Sequence, residues 1–213
     1  MDAGPGAGRV DMVTRVKICG ITNDDDATLA ARLGADLVGF IFADSPRRVS
    51  AAQAAAIARA LPAFQQTVGV FVDVPPSEVV ETCAHAGLDY AQLHGDESPE
   101  DCARVQEAGV GVIKVLTITS RDSLADAEKY TDVDGVLLDR PRGGPMYDWA
   151  IAAEASDVLR PPVFMAGGLT PVNVADAVAA ARPYGVDVGS GVERSPGVKD
   201  PYKLAAFLSA ARA

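Results

Sequence analysis

A thiol and a carboxylate occupy positions in this sequence from which both could transfer protons. Cys19 ends the run Val-Lys-Ile-Cys and is followed by Gly20, while Asp139 ends the run Gly-Val-Leu-Leu-Asp. In each case a short apolar segment typical of a β-strand continues into a loop rich in glycine or proline. A thiolate can remove a proton and a protonated carboxyl group can supply one. If the two loops meet, the pattern predicts a site for general acid–base catalysis.

Three further polar residues are candidates for supporting this chemistry. Lys17 lies two positions before Cys19, so both side chains face the same side of a strand, and a nearby ammonium group favours the thiolate. Asp187 stands between two valines. If its side chain points inward it needs a partner, and a structural role and a contact with a substrate hydroxyl remain equally open. His94 is interpreted as a packed residue at the rim or as support for the site.

Glycine-rich loops and arginines supply candidate contacts for an anionic ligand. Gly167-Gly168 and Ser190-Gly191 follow the last two predicted strands, where missing side chains let backbone N–H groups approach a phosphate. The alternative is that these glycines only form tight turns. Arg47 could hold a carboxylate through two hydrogen bonds, or form a solvated pair with Arg48. Because the net charge is −10, an anion needs such local contacts to bind.

The composition predicts one globular domain. The chain has 213 residues, of which 48% are hydrophobic and 23% charged, enough for a substantial core. The strongly negative charge argues against binding to nucleic acid or to anionic lipid. No apolar run reaches the roughly 18 residues of a membrane span. Three cysteines fit neither a disulfide framework nor a metal site, which favours a reducing, cytoplasmic location.

Segments typical of strands alternate strictly with amphipathic segments typical of helices. Predicted strands cover residues 16–19, 37–41, 68–72, 90–93, 112–115, 135–138, 163–166 and 186–188. Predicted helices cover residues 25–32, 51–61, 77–86, 99–108, 120–129, 149–155, 172–181 and 201–211. Eight such units favour a (β/α)₈ barrel over residues 15–213, in preference to a doubly wound open sheet. Residues 1–14, rich in glycine and alanine, are expected to form a flexible leader.

A barrel of this kind carries its chemistry at the C-terminal ends of the strands and in the loops that follow. Cys19, Asp139 and Arg47 all fall in that set. Cys83 and Cys102 fall on predicted helices instead and are interpreted as ordinary packing residues. No histidines or acids have metal-ligand spacing, and no dinucleotide fingerprint follows the first strand, so neither a metal ion nor an organic cofactor is expected.

Taken together, these motifs resemble the phosphoribosylanthranilate isomerase family of tryptophan biosynthesis. The resemblance extends from residue 16 to the C-terminus and rests on segments 16–22, 39–42, 45–50, 69–72, 92–95, 137–139, 147–149, 166–169 and 186–193. It implies a (β/α)₈ barrel and an Amadori rearrangement that needs no metal or cofactor. The implied substrate is N-(5-phosphoribosyl)anthranilate, and the implied product is 1-(2-carboxyphenylamino)-1-deoxyribulose 5-phosphate.

The resemblance also implies a role for each candidate residue. Asp139 would be the general acid that protonates the ribose ring oxygen, and Cys19 the general base that removes the C2 proton of the resulting Schiff base. Arg47 matches the arginine that holds the anthranilate carboxylate. The residues that match the phosphate site are Gly143, Gly144, Gly167, Gly168, Ser190 and Gly191. A phosphorylated small molecule is the expected partner, and a monomer or homodimer the expected assembly.

The sequence departs from the family pattern in two loops. The loop after Asp139 is short, and Pro145, which cannot donate a backbone N–H, replaces a hydroxyl residue. Gly189 stands where the family generally has a serine. We hypothesise that Arg140 and Arg142 compensate electrostatically, so that their replacement by alanine raises KM.

Two alternative functions follow from these observations. A relative that binds phosphorylated ligands without catalysis would explain the altered loop, but it would need neither Cys19 nor Asp139. An isomerase acting on the related aminoimidazole-carboxamide ribotide of histidine synthesis usually resembles a barrel with two similar halves and an aspartate base after the first strand. The cysteine at that position and the missing half-repeat argue against it.

Overall fold

The computed structural model describes residues 13–141 and 143–213, which form a closed barrel of eight parallel strands. Strands β1 to β8 span Arg15–Cys19, Leu37–Ile41, Gln66–Phe71, Tyr90–Leu93, Gly111–Thr117, Gly135–Asp139, Val163–Met165 and Gly185–Val188. Each strand pairs with the next, and β1 pairs with β8 to close the sheet. The predicted (β/α)₈ barrel is therefore confirmed, and an open sheet is ruled out. Of the predicted leader, residues 1–12 lie outside the described residues.

Helices follow the strands as the alternation predicts. Helices α1 to α7 span Asp24–Arg32, Ala51–Ala60, Pro76–Ala86, Pro99–Glu107, Trp149–Val158, Val174–Ala181 and Pro201–Ala210. The segment between β5 and β6, predicted as an ordinary helix, is a 3₁₀ helix over Arg121–Lys129. At its start the Ser123 hydroxyl accepts hydrogen bonds from the backbone N–H groups of Thr119 and Ser120, which favours the tighter turn. No helix in the described ranges is long and apolar enough to cross a membrane.

An antiparallel ribbon that the sequence analysis did not predict follows β8. A short 3₁₀ turn at Ser190–Val192 leads into strand β9, Glu193–Ser195, which pairs with β10, Val198–Lys199. The two strands are joined by Pro196 and Gly197, and the glycine has φ +79°. Proline followed by a left-handed glycine is typical of a type II turn. This ribbon lies between β8 and α7 in the chain, next to the end of the barrel where chemistry is expected.

The core has two layers. An outer layer packs the strands against the helices, and Cys83 and Cys102 lie in it with 0% and 1% exposure, as packing residues do. Burial raises the pKa of Cys83 to about 12 and that of Cys102 to about 11, so both thiols stay protonated near neutral pH. Among the described residues, the apolar part of the inner layer contains seven buried side chains: Leu37, Val68, Ile113, Val115, Leu137, Phe164 and Ala166.

Candidate active site

A cavity of about 540 Å³ opens at the C-terminal end of the barrel. Its wall combines strand ends with the loops that follow them, as barrel geometry requires. The predicted site residues in its wall are Cys19, Arg47, His94, Asp139, Gly143, Gly167, Gly168, Asp187, Ser190 and Gly191. Lys17 and Gly144 are not part of it. The structure therefore brings the thiol, the carboxyl group and the glycine loops together in one cavity.

Cys19 lies at the end of β1, with only 8% of its surface exposed. The Cys19 side chain fits here because the neighbouring strand β2 carries Gly39. A Cβ atom at that position would lie 3.1 Å from the cysteine Sγ and 3.1 Å from the Lys17 Nζ. Burial raises the pKa of the Cys19 thiol, the Lys17 ammonium lowers it and Asp187 raises it. Lys17 thus favours the thiolate as predicted, but burial outweighs that effect.

Lys17 and Asp187 form a buried ion pair where the barrel closes. The Lys17 Nζ lies 3.1 Å from Asp187 Oδ1, and the lysine side chain is completely buried. Burial alone would lower the pKa of Lys17, but Asp187 and Cys19 outweigh it and the pKa is raised, so the amine stays charged. Asp187 therefore has the structural partner that an inward-facing carboxylate needs, while part of it also borders the cavity.

Asp139 ends β6 and is more accessible than Cys19, with 23% of its side chain exposed. Its Oδ1 accepts the backbone N–H of Arg140 at 2.8 Å, and its Oδ2 lies 3.5 Å from His94 Nε2. Burial raises the pKa of Asp139, although His94 and the Arg140 N–H oppose the rise. Burial also lowers the pKa of His94, which favours neutral imidazole. The structure therefore places His94 next to Asp139, and a supporting role for His94 stays a prediction.

The glycine loops after β7 and β8 are shaped by close backbone approach. Gly167 and Gly168 have φ of +88° and +92°, values that side chains rarely adopt. A Cβ on Gly167 would lie 2.8 Å from Asp139 Oδ1. A Cβ on Gly191 would overlap the carbonyl oxygen of Leu169, so the two loops touch each other. These glycines do more than turn the chain, because they bring two loop backbones against one cavity.

The loop after β6 uses its polar groups internally. The Gly144 N–H donates to the Pro141 carbonyl at 2.8 Å, and the Gly144 carbonyl accepts from Arg140 Nη1 at 2.7 Å. This N–H is already paired, so the predicted phosphate contact of Gly144 is not available in this conformation. Gly143 borders the cavity, and so does Arg140, one of the two arginines suggested to compensate. The other, Arg142, lies outside the described residues.

Arg47 does not form the solvated pair that was one of its two interpretations. Its guanidinium binds Glu193 through three hydrogen bonds, Nε to Oε1 at 2.8 Å, Nε to Oε2 at 3.1 Å and Nη2 to Oε2 at 2.7 Å. The arginine passes close to Gly20, where a Cβ would lie 2.7 Å from Arg47 Cδ. The absence of a side chain at Gly20 therefore lets Arg47 pass close to the loop that follows Cys19.

Sequence reasoning missed two buried residues beside the site, Glu193 and Lys199. They face each other across the β9–β10 ribbon, and Lys199 Nζ lies 3.0 Å from Glu193 Oε1. One signal was available, because a Pro-Gly pair flanked by short segments is typical of a hairpin. The pairing of their charges depends on the register of that hairpin, which the residue types alone do not give.

Comparison with known proteins identifies the family. The model of the family described as N-(5'-phosphoribosyl)anthranilate (PRA) isomerase matches residues 16–210. The chain belongs to this family. An N-(5'-phosphoribosyl)anthranilate isomerase of Rubrobacter xylanophilus is 45% identical over 207 residues, covering 94% of this chain and all of the relative.

Solved structures of phosphoribosylanthranilate isomerases share the fold. One, in complex with reduced 1-(o-carboxyphenylamino)-1-deoxyribulose 5-phosphate, is 38% identical, with a TM-score of 0.86 over 93% of this chain and 98% of that one. A second shows monomers generated from the dimeric enzyme of Thermotoga maritima. It is 37% identical, with a TM-score of 0.86 and the same two coverages. The family resemblance inferred from the motifs is confirmed.

Proposed function

We propose that this protein isomerises N-(5-phosphoribosyl)anthranilate to 1-(2-carboxyphenylamino)-1-deoxyribulose 5-phosphate in tryptophan biosynthesis, with Asp139 as general acid and Cys19 as general base. The observation that carries the assignment is that both side chains line one cavity together with Arg47. The family's name and the phosphorylated product analogue bound to a relative support the choice of substrate.

The first step opens the sugar. The Asp139 carboxyl group gives its proton to the ribose ring oxygen as the bond from C1 to that oxygen breaks. The lone pair of the anthranilate nitrogen forms the C1=N double bond, which gives a protonated Schiff base. Burial raises the pKa of Asp139 and so increases the fraction of the acid that holds a proton.

The second step moves a proton from carbon. The Cys19 thiolate removes the proton at C2, and the electrons of that C–H bond form the C1=C2 double bond while the nitrogen regains its lone pair. The product of this step is an enolamine, which tautomerises to the ketone. Lys17 stays charged beside the sulfur and stabilises the thiolate electrostatically.

Local cationic and backbone groups would receive the two anionic ends of the substrate. Arg47 is proposed to bind the anthranilate carboxylate, since this residue borders the cavity and a guanidinium pairs well with a carboxylate. The backbones of Gly167, Gly168 and the Ser190-Gly191 loop are proposed to bind the phosphate. Arg140, which borders the same cavity, would add positive charge near that loop. These contacts would offset the net charge of −10.

The proposal also covers the cofactor requirement, the cellular location and the oligomeric state. The two assigned proton transfers use only protein side chains, so no metal or organic cofactor is proposed. A cytoplasmic location fits the three free cysteines. A phosphorylated small molecule is the partner, and a monomer or homodimer the assembly.

The test is the loss of anthranilate-type fluorescence from freshly generated substrate, followed with the intact protein, Cys19→Ala and Asp139→Asn. We expect rapid loss with the intact protein and a fall in kcat of about 10²–10⁴-fold for each variant. Cys102→Ala removes a buried thiol outside the cavity and is the matched control, with kcat close to that of the intact protein.

Three results would contradict the proposal in different ways. Tight product binding without turnover would indicate the non-catalytic relative. Turnover of the aminoimidazole-carboxamide ribotide alone would indicate the histidine-pathway isomerase. Full activity in Cys19→Ala would leave the substrate assignment standing but remove the base.

A further inference from the structure

Lys199 is a charged residue buried beneath the proposed active site. It is 1% exposed, and its Nζ donates three hydrogen bonds: to the Cys19 carbonyl at 2.6 Å, to the Gly189 carbonyl at 3.1 Å and to Glu193 Oε1 at 3.0 Å. An ammonium group has three N–H donors, so all of them are used within the protein. Lys199 therefore has no donor left for a ligand, and its effect must pass through the groups that it holds.

Glu193 connects Lys199 to Arg47. Its Oε1 accepts from Lys199 Nζ, from Arg47 Nε at 2.8 Å and from the Gly197 N–H at 3.3 Å, while its Oε2 accepts from Arg47 Nη2 at 2.7 Å. Burial would raise the pKa of Glu193, but Arg47 and Lys199 outweigh it and the pKa is lowered. The group therefore stays a carboxylate between two cations.

This arrangement determines which edge of the Arg47 guanidinium is available to a ligand. Glu193 occupies the side of the guanidinium formed by Nε and Nη2. Among the described residues, no hydrogen bond involves Nη1, so the edge formed by the two terminal nitrogens keeps free N–H groups. A planar guanidinium can bind a second carboxylate in a two-pronged way at that edge. Glu193 thus fixes the plane and direction of the edge that remains.

We propose that Lys199 and Glu193 form a positioning pair that fixes Arg47 for recognition of the substrate's aromatic carboxylate and ties it to the end of β1 that carries Cys19. The inference rests on the proposed function. The Lys199 Nζ donates to the carbonyl of Cys19 and also to the carboxylate of Glu193, which in turn binds Arg47. The pair thereby sets the distance between the Arg47 guanidinium, which binds the substrate carboxylate, and Cys19, which accepts the proton. Neither member of the pair contacts the substrate.

The test compares ligands in pairs whose members differ only in the aromatic carboxylate. For kinetics the pair is N-(5-phosphoribosyl)anthranilate and N-(5-phosphoribosyl)aniline. For binding the pair is the reduced product analogue with and without the carboxylate. For Glu193→Gln we expect kcat/KM for the carboxylated substrate to fall about tenfold more than for the aniline, mainly through KM. The ratio of the two dissociation constants, measured by calorimetry, should change by the same factor.

A second buried ion pair in the same barrel is the matched control. Glu97 Oε2 lies 2.7 Å from Lys114 Nζ, and both side chains are buried, but the carboxylate contacts the backbone of the β3 and β4 loops and not Arg47. Glu97→Gln should therefore affect the two ligands equally. In an Arg47→Ala background, Glu193→Gln should change the ligand ratio by less than about twofold, because residues acting through one contact are not additive.

The outcomes separate the two proposals. The positioning role would be overturned if Glu193→Gln reduced kcat/KM equally for both substrates, or if its effect on the ligand ratio were unchanged in the Arg47→Ala background. Turnover by the intact protein would still uphold the isomerase. An intact protein without turnover would contradict the proposed function. The calorimetric ratio would still decide the positioning role in that case.

Discussion

At the scale of single residues, the site depends on burial as much as on residue type. Burial raises the pKa of both Asp139 and Cys19. The first shift helps Asp139, the proposed acid, to hold a proton, whereas the second opposes the loss of a proton by Cys19, the proposed base. Lys17 lowers the pKa of the Cys19 thiol and so favours its ionisation, and Asp187 keeps Lys17 itself charged. The ion pair under the site therefore has an electrostatic role as well as a structural one.

Replacement of Lys17 tests this electrostatic balance. Lys17 lowers the pKa of Cys19 and Asp187 raises it, so Lys17→Met, which leaves Asp187 in place, should raise this pKa and reduce the thiolate fraction at neutral pH. We expect alkylation of Cys19 by iodoacetamide to become about three- to tenfold slower, since one pKa unit is a tenfold change. Mass spectrometry locates the label. Cys83 and Cys102, with pKa values of about 12 and about 11, should stay unlabelled. A faster reaction at Cys19 would contradict the sign of the effect.

A methyl group at Gly39 tests how closely the base is packed. A Cβ there would lie 3.1 Å from both Cys19 Sγ and Lys17 Nζ, so the thiol or the amine must shift. Gly39→Ala should lower kcat about tenfold or more, because proton transfer is sensitive to small displacements. Gly135→Ala is the control, since the added Cβ makes contacts of 3.5 Å or longer on another strand. Similar kinetics for the two variants would show that this packing does not limit the reaction.

At the scale of elements, the β9–β10 ribbon determines the surroundings of Arg47. Its register places Lys199 opposite Glu193, and its turn is fastened to the β1–α1 loop by a hydrogen bond from Thr22 Oγ1 to the Gly197 carbonyl. A ribbon of only two short strands is marginal by itself. Here the buried charges and this loop contact hold it in place beside the barrel.

The turn glycine tests the contribution of the ribbon. Gly197→Ala puts a side chain at φ +79°, with its Cβ 3.2 Å from Thr22 Cγ2, and should displace the Lys199–Glu193 register. We expect a loss of about 1–2 kcal/mol in the free energy of unfolding and a higher KM for the carboxylated substrate. Gly109→Ala has φ +86° but no atom within 4 Å of the added Cβ, so it should lose comparable stability with KM unchanged. Urea unfolding and steady-state kinetics measure both quantities, and an unchanged KM in Gly197→Ala would contradict the role of the ribbon.

At the scale of the whole molecule, the barrel closes through a charged contact inside it. Strand β1 pairs with β8 at the junction of the two ends of the sheet, and Lys17 and Asp187 stand opposite each other in that register. Removing one member of a buried pair leaves an uncompensated charge, which costs far more than losing an exposed pair. The closure of the barrel and the electrostatic environment of Cys19 therefore depend on the same ion pair.

Lys17→Met tests the coupling by stability. The variant leaves Asp187 buried without its partner, and we expect the free energy of unfolding to fall by about 3–5 kcal/mol. Arg15→Gln, on the same strand, breaks an ion pair with Asp36 in which the arginine is 52% exposed, and should cost less than about 1 kcal/mol. Urea denaturation of the two variants measures the difference. Equal small losses would show that the buried pair does not stabilise closure.

The sequence by itself determined the barrel and the positions of its candidate site residues. Alternation of apolar strands with amphipathic helices is a local property, and eight units can bury their apolar faces together in one closed sheet. Cys19 and Asp139 were identifiable because each follows such a strand directly. The glycine pairs after the last two strands were identifiable for the same reason, since a loop's place in the chain fixes the end of the barrel on which it lies.

Only the tertiary structure decided which side chains pair with which. Glu193 is 146 residues from Arg47, and Lys199 is 180 residues from Cys19, so no local pattern links them. The same holds for Lys17 and Asp187, which are 170 residues apart and meet because the sheet closes. Hydrogen-bond partners and pKa shifts depend on distances across the fold and on burial from water, and these quantities exist only once the chain has folded.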